Sequence, residues 1–259
     1  MSITIAAAAI AVFLATSADA KTVLITGSNS GIGLEFAKQY AAKGWDVVAT
    51  HRRSTAPESI ETLRAQYPDQ VRVETMDVTN HEQIDVLARK LEGTAIDVLI
   101  NNAGITGDFR NPAPQSFGTL AYADWENFMR INALGPLKIS EAFAPHVKAS
   151  EDKKILAVSS LAGSFGYKGP NMAGGYWYKA SKAALNMYMK NVANDLKGDG
   201  VTVALLSPGT VKVEKLGDVN FPGLISPADS IRGMISVIEG LTVEDSGAYY
   251  RYDGTEQPF

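Results

Sequence analysis

The stretch Thr22-Val23-Leu24-Ile25-Thr26-Gly27-Ser28-Asn29-Ser30-Gly31-Ile32-Gly33 constrains the fold more than any other part of the chain. Apolar and β-branched residues run into a glycine-spaced turn. Leu34, Ala37, Tyr40 and Ala41 then recur at helical spacing, so the segment reads as strand, tight loop, helix. Gly27 permits a sharp turn out of the strand, Gly31 leaves room for a diphosphate against the backbone, and Gly33 lets helix and strand pack closely. The amides at the helix start would face that anion. The spacing T-G-x-x-x-G-x-G differs from the dinucleotide fingerprint G-x-G-x-x-G in its first interval. A glycine loop is weak evidence alone, because an ordinary βα turn reads the same way.

Strands and helices alternate through the rest of the chain. A second strand over residues 46–50 ends in His51, Arg52 and Arg53. An acidic side chain there would hold a ribose 2′-hydroxyl, whereas a basic one suits a 2′-phosphate. None of residues 50–54 is acidic, which favours NADP(H) over NAD(H); a solvated loop ahead of the helix starting at Pro57-Glu58 is the alternative. A strand over 71–76 ends in Asp77-Val78, and Thr79 or Asn80 caps a helix to about residue 91. A strand over 96–100 delivers Asn101-Asn102-Ala103-Gly104 to the edge where ligands of open α/β sheets bind. Residues 125–147 contain a long amphipathic helix with Asn132 near its middle, a position where asparagine more often faces solvent than acts. A strand over 155–158 brings Ser159-Ser160 to the same edge. After a glycine-rich loop, a helix from Tyr176 carries Tyr178 and Lys182 one turn apart on a shared face. A strand over 201–206 ends in Ser207-Pro208-Gly209, Ser226-Pro227 opens another helix, and residues 248–252 form a last strand. The alternation predicts a single-domain α/β fold, a three-layer doubly wound parallel sheet with helices on both faces.

Composition removes several classes of function. A net charge of −4 without charge runs argues against a nucleic-acid or polyanion partner. Zero cysteines and three scattered histidines (His51, His81, His146) leave neither disulfides nor a metal-ligand cluster. Residues 3–15 form an uncharged, mostly apolar run, followed by Ala18-Asp19-Ala20, which has the A-x-A form of a signal-peptidase site. The run is too short to span a bilayer, which takes about 20 residues. Residues 1–20 are therefore expected to be a cleaved export signal ahead of a domain at 21–259, and the protein periplasmic or secreted. The absence of Lys or Arg in Met1-Ser2 supports the alternative of a plain apolar extension on a cytoplasmic chain.

With ten tyrosines and fifteen lysines, a Tyr-x-x-x-Lys pair arises by chance about 0.6 times, so the pair decides nothing by itself. Its position in an ordered set does. Thr26-Gly27-x-x-x-Gly31-Ile32-Gly33, Asp77-Val78, Asn101-Asn102-Ala103-Gly104, Asn132, Ser160, Tyr178-Lys179-Ala180-Ser181-Lys182 and Pro208-Gly209 together resemble the short-chain dehydrogenase/reductase family over residues 21–259. The run 181–187 and the ending Tyr252-Asp253-Gly254 are similar to the branch containing C-factor and sniffer-type carbonyl reductases. The resemblance implies a Rossmann fold and an NAD(P)-dependent enzyme acting on a small-molecule carbonyl or alcohol, assembled as a homodimer or homotetramer. It implies Tyr178 as acid–base group, Ser160 orienting the carbonyl, Lys182 also holding the nicotinamide ribose, and Asn132 supporting a proton-relay water. For the cofactor it implies Gly27, Ser28, Asn29, Ser30 and Ile32 at the diphosphate and Arg52 at the 2′-phosphate. Asp77 and Val78 would flank the adenine, Asn102, Ala103 and Gly104 the ribose side, and Pro208, Gly209 and Val211 the nicotinamide.

The chemistry agrees with those roles. Hydride transfer to a carbonyl carbon leaves charge on oxygen, so the site must supply a proton and a second hydrogen bond there. A free phenol, with pKa about 10, is a poor acid–base group at neutral pH, and a nearby ammonium is expected to lower it. Three features depart from the family pattern. Ser160 precedes Tyr178 by 18 positions, more than is usual in the family, which keeps Ser159 as an alternative. Val213 stands where many members have a threonine. The segment 212–225 is short for a substrate cover and contains Gly217, Pro222 and Gly223. Two other readings remain: a cofactor-binding signalling or interaction protein with little turnover, and an isomerase or dehydratase on the same scaffold.

Overall fold

The computed structural model describes residues 20–108, 110–168, 174–214 and 223–259. The signal-like run with its A-x-A site up to Asp19, the middle of the loop after Ser160 and most of the expected substrate cover lie outside the described residues. Along the chain the elements are β1 (Thr22–Ile25), α1 (Gly31–Ala42), β2 (Asp46–His51), α2 (Glu58–Gln66), β3 (Val71–Thr75), α3 (His81–Lys90) and β4 (Val98–Asn101). They continue with α4 (Trp125–Met129), α5 (Gly135–Lys148), β5 (Lys154–Val158), α6 (Tyr176–Leu196), β6 (Thr202–Ser207), β7 (Thr210–Val211), β8 (Leu224–Ile225), α7 (Pro227–Gly240) and β9 (Tyr249–Arg251).

Seven strands form one sheet in the order β3-β2-β1-β4-β5-β6-β9, and every pairing in it is parallel. The order reverses between β1 and β4, which leaves a crevice at their carboxyl ends. Strands β1, β4, β5 and β6 are buried along their whole length, as a sheet covered on both faces requires. Alternation then divides the core. Val23 and Ile25 point to a layer with Phe36 and Tyr40 of α1 and Met234 and Ile238 of α7, whereas Leu24 meets Ile139 and Phe143 of α5 and Leu185 and Met189 of α6. Among the described residues no helix is long and apolar enough to cross a membrane.

Two helix starts carry the caps the sequence suggests. Asn80 Oδ1 accepts from Gln83 N at 3.1 Å, and Ser226 Oγ accepts from Asp229 N at 3.0 Å ahead of Pro227. The long helix expected over 125–147 is not continuous. A π-helical turn, Arg130–Leu134, joins α4 to α5. Pro136 follows it after one intervening residue and offers no N–H to the carbonyl of Asn132, which removes one rung of the α ladder. Asn132 consequently turns inward and is fully buried, the reverse of the solvent-facing position that asparagine usually takes within a helix.

Candidate active site

The β1–α1 loop is held in place by Thr26 and Asn102. Thr26 Oγ1 accepts from Asn102 N at 2.9 Å and Ala103 N at 3.0 Å, while Asn102 Nδ2 donates to Thr26 O at 2.8 Å and Gly27 O at 3.3 Å. These bonds tie the loop to the end of β4. Gly27 sits at φ +68°, and a Cβ on Gly33 would stand 2.3 Å from Gly27 O, so only glycine permits this approach of α1 to the loop. Ser30 is the N-cap of α1 in extended conformation, makes no side-chain cap bond, and no acidic side chain occupies the first turn. The N–H groups there are left for an anion. Ser28 has a different part from the one the resemblance implies. Its N–H donates to Thr50 O at 2.8 Å and its hydroxyl to Ile25 O at 2.8 Å, and it is wholly buried, so it shapes the loop and has no donor left to offer a diphosphate.

A polar cleft of about 550 Å³ opens beyond the ends of β2 and β3, lined by Arg52, Asp77, Thr79, Asn80, His81, Gln83 and Arg130. Asp77 Oδ1 accepts from both Thr79 N and Thr79 Oγ1 at 2.8 Å, which fixes the cleft floor. Arg130 faces it from the π turn, donating to Thr79 O at 3.2 Å. No local pattern in the sequence marks Arg130, although it lines the same cleft as Arg52. The glycine loop, the open helix start and the polar cleft fit a dinucleotide. On the other side of the loop, Val213 Cγ1 would lie 3.4 Å from a Cβ on Gly31, which seats the segment after β7 against the same region. Pro208 O accepts from Ser230 Oγ at 2.7 Å and Gly209 takes φ +74°, a conformation that suits glycine.

The tips of β4 and β5 and the face of α6 meet beside this crevice. Lys182 is buried and donates from Nζ to Val158 O at 2.8 Å. Asn132 Oδ1 accepts from Ile105 N at 2.8 Å, and its Nδ2 donates to Ile105 O at 2.8 Å and Ser181 Oγ at 2.9 Å. A Cβ on Gly104 would lie 3.2 Å from Asn132 Oδ1 and 3.7 Å from Lys182 Nζ, so both side chains converge on that glycine. The two serines after β5 separate clearly. Ser159 Oγ donates to Asn186 Oδ1 at 2.5 Å inside the core, whereas the Ser160 hydroxyl bonds the Tyr178 side chain. The 18-residue interval is thus accommodated with Ser160, not Ser159, at the phenol.

Among the chain's own groups, burial pushes the Tyr178 phenol above its ordinary pKa of 10, opposed by the Ser160 hydroxyl. Lys182 donates one of its three N–H groups to the Val158 carbonyl, and burial without a carboxylate partner brings its pKa down to about 8.

A parallel sheet thus carries a glycine-spaced loop at one strand tip and Ser160, Tyr178, Lys182 and Asn132 around the next. Known proteins share this layout. The family described as short chain dehydrogenase matches residues 21–221. C-signal of Myxococcus xanthus is 40% identical over 166 residues, covering 63% of this chain and 93% of that protein. The 1-hydroxy-2-glutathionyl-2-methyl-3-butene dehydrogenase of Rhodococcus sp. (strain AD45) is 34% identical over 240 residues, 90% of this chain and 97% of that one. The NADPH-bound carbonyl reductase from chicken fatty liver superimposes with a TM-score of 0.83 at 27% identity, over 93% of this chain and 99% of that structure. The chain belongs to the short-chain dehydrogenase/reductase family, in the branch that its sequence resembles.

Proposed function

We propose that the protein is an NADP(H)-preferring carbonyl reductase or alcohol dehydrogenase for small or medium apolar carbonyls, using Tyr178 as acid–base group. The observation that carries this reading is the meeting of Tyr178, Ser160, Lys182 and Asn132 at the carboxyl edge of β4 and β5, beside the glycine cradle. The cofactor supplies or accepts the hydride when bound. Gly27, Gly31 and Gly33 with the start of α1 would hold its diphosphate, Arg52 its 2′-phosphate, and Asp77 and Val78 the adenine. Ser160 donates a hydrogen bond to the carbonyl oxygen and aligns it with the Tyr178 hydroxyl. Tyr178, kept protonated by burial, donates its proton to that oxygen as charge develops. Lys182 places a positive charge under the site, and Asn132 holds the strand tip at Ile105 in register with α6.

Turnover of NADPH over a panel of aliphatic and aromatic aldehydes and ketones tests the reading. Arg52→Ala is expected to raise KM for NADPH roughly tenfold, the loss expected for one charged hydrogen bond, while KM for NADH changes less than about twofold. A wild-type preference for NADH would overturn the NADP assignment. A signalling protein is the second reading, favoured by the 40% identity to C-signal. It predicts NADPH binding with no turnover across the panel.

The buried lysine gives the reaction a pH signature. Its proton is held only up to about pH 8 in the free enzyme. Carbonyl reduction requires both Lys182 and Tyr178 protonated, and Tyr178 stays so past its ordinary range. As pH rises through 8 the charge on Lys182 is lost, and kcat/KM for reduction is expected to fall by up to about tenfold per pH unit beyond it. A profile flat from pH 6 to 10 would remove Lys182 from the charge balance.

A further inference from the structure

The first turn of α6 carries Tyr178, and it lacks a cap of its own. Its N-cap is Gly175 at φ +71°, which has no side chain to offer, and no acidic residue lies in the first turn. Lys179 N makes the first internal bond, to Gly175 O at 2.7 Å, so the N–H of Tyr178 has no acceptor within the helix. The acceptor comes from 63 residues away. Gln115 Oε1 receives the Tyr178 N–H at 3.0 Å, and Gln115 Nε2 donates to Thr106 O at 3.0 Å.

Those two bonds complete a ring. From Thr106 the chain passes to Ile105, whose N–H and carbonyl are both held by Asn132. Asn132 donates to Ser181 Oγ, and Ser181 Oγ donates to the carbonyl of Tyr178 at 2.8 Å. Both backbone groups of Tyr178 are thereby tied, through four side-chain bonds besides its own two, to the segment that follows β4. Gln115 is only 8% exposed, and the site is shaped around it. A Cβ on Gly107 would sit 2.2 Å from Gln115 Nε2, and one on Gly174 would sit 3.3 Å from the Gln115 carbonyl; both glycines take positive φ. The short helical turn Ala113–Gln115 is in turn fastened by Gln115 N to Pro112 O at 3.0 Å, and its loop is lashed to α6 a second time by Trp177 Nε1 donating to Ala121 O at 3.1 Å.

We propose that Gln115 is a positioning residue for Tyr178: it supplies the missing cap of α6 and sets the height of the phenol against the β4 tip, where the substrate carbonyl must lie. This rests on the acid–base role of Tyr178 for its kinetic consequence and on hydrogen-bond geometry alone for its structural one. Gln115→Met keeps the length and removes both bonds, whereas Gln115→Glu keeps an acceptor for the Tyr178 N–H. The experiment compares wild type and both variants by steady-state kinetics with NADPH, by NADPH titration, and by deuterium uptake of the peptide covering residues 176–182. Gln115→Met is expected to lower kcat roughly tenfold through misplacement of the phenol, leave the NADPH dissociation constant within about twofold, as the cradle lies elsewhere, and exchange its first-turn amides at least about tenfold faster. Gln115→Glu is expected to recover most of the rate and of the protection. Unchanged exchange in Gln115→Met, or a glutamate variant as impaired as the methionine one, would overturn the proposal. Faster exchange in an enzyme whose wild type turns over no carbonyl would uphold the cap and instead remove the reductase reading.

Discussion

Tyr178→Phe is expected to lower kcat for NADPH-dependent carbonyl reduction by roughly a thousandfold, within the range that a positioned general acid contributes. The substitution removes one oxygen and leaves the ring, so the partly buried space beside Ser160 stays filled. The backbone bonds of residue 178 to Gln115 and Ser181 do not involve the phenol, and the helix start should persist. Ser160 loses its aromatic partner but still accepts from Ala162 N at 3.2 Å, so its hydroxyl is not stranded. If the β1–α1 loop and the Arg52 cleft hold the cofactor as proposed, NADPH affinity should change less than about threefold, since the substitution alters neither. The measurement is single-turnover reduction with saturating NADPH, alongside a cofactor titration. A residual rate above one-tenth of wild type would mean that the proton comes from elsewhere.

The fold was legible where neighbours in sequence decide it, and the site only where a motif sits at a strand tip. Runs such as 22–25 and 155–158 are apolar without alternation, the mark of strands covered on both faces, and their order with intervening helices leaves few topologies. Asn102, Lys182 and Tyr178 could be placed because each stands at a fixed distance from a strand end or shares a helix face. Asn132 was harder to judge from its surroundings: its inward turn depends on the π-helical turn ahead of Pro136, and helical periodicity assumes a constant 3.6 residues per turn. Ser159 and Ser160 are adjacent and chemically alike, and only the third-dimensional position of Asn186 draws Ser159 away. The resemblance places Ser28 along the diphosphate, whereas the fold buries it with its N–H on Thr50 and its hydroxyl on Ile25. Gln115 lies in a stretch with no periodicity at all, and its role is set by a contact with a residue 63 positions on. For Ser159 and Gln115 the deciding interaction is long-range, so no short window of sequence contains both partners.

The other large effect expected concerns a residue with no side chain. Gly33→Ala places a methyl group 2.3 Å from the Gly27 carbonyl oxygen and 2.4 Å from Asn102 Nδ2, neither of which can yield freely. The carbonyl belongs to the loop that turns out of β1, and the amide is the clamp that ties this loop to β4 through Thr26 O at 2.8 Å. Relief requires either that α1 move away from the sheet or that the clamp open, and both displace the N–H groups that the start of α1 presents to a diphosphate. Overpacking of this kind costs about 1–3 kcal/mol, which for a domain of this size lowers Tm by roughly 3–10 °C. NADPH affinity should fall by about a hundredfold or more, because several backbone donors are misplaced together. Gly198→Ala serves as the control: its Cβ would meet nothing within 4 Å, and neither Tm nor affinity should change measurably. Thermal melts with and without NADPH read both effects at once, since a ligand that binds only the folded state raises Tm in proportion to its affinity. A Gly33→Ala protein still stabilised by NADPH to the wild-type extent would show that the cofactor does not rest on this loop, and the assignment of the cradle would fall with it.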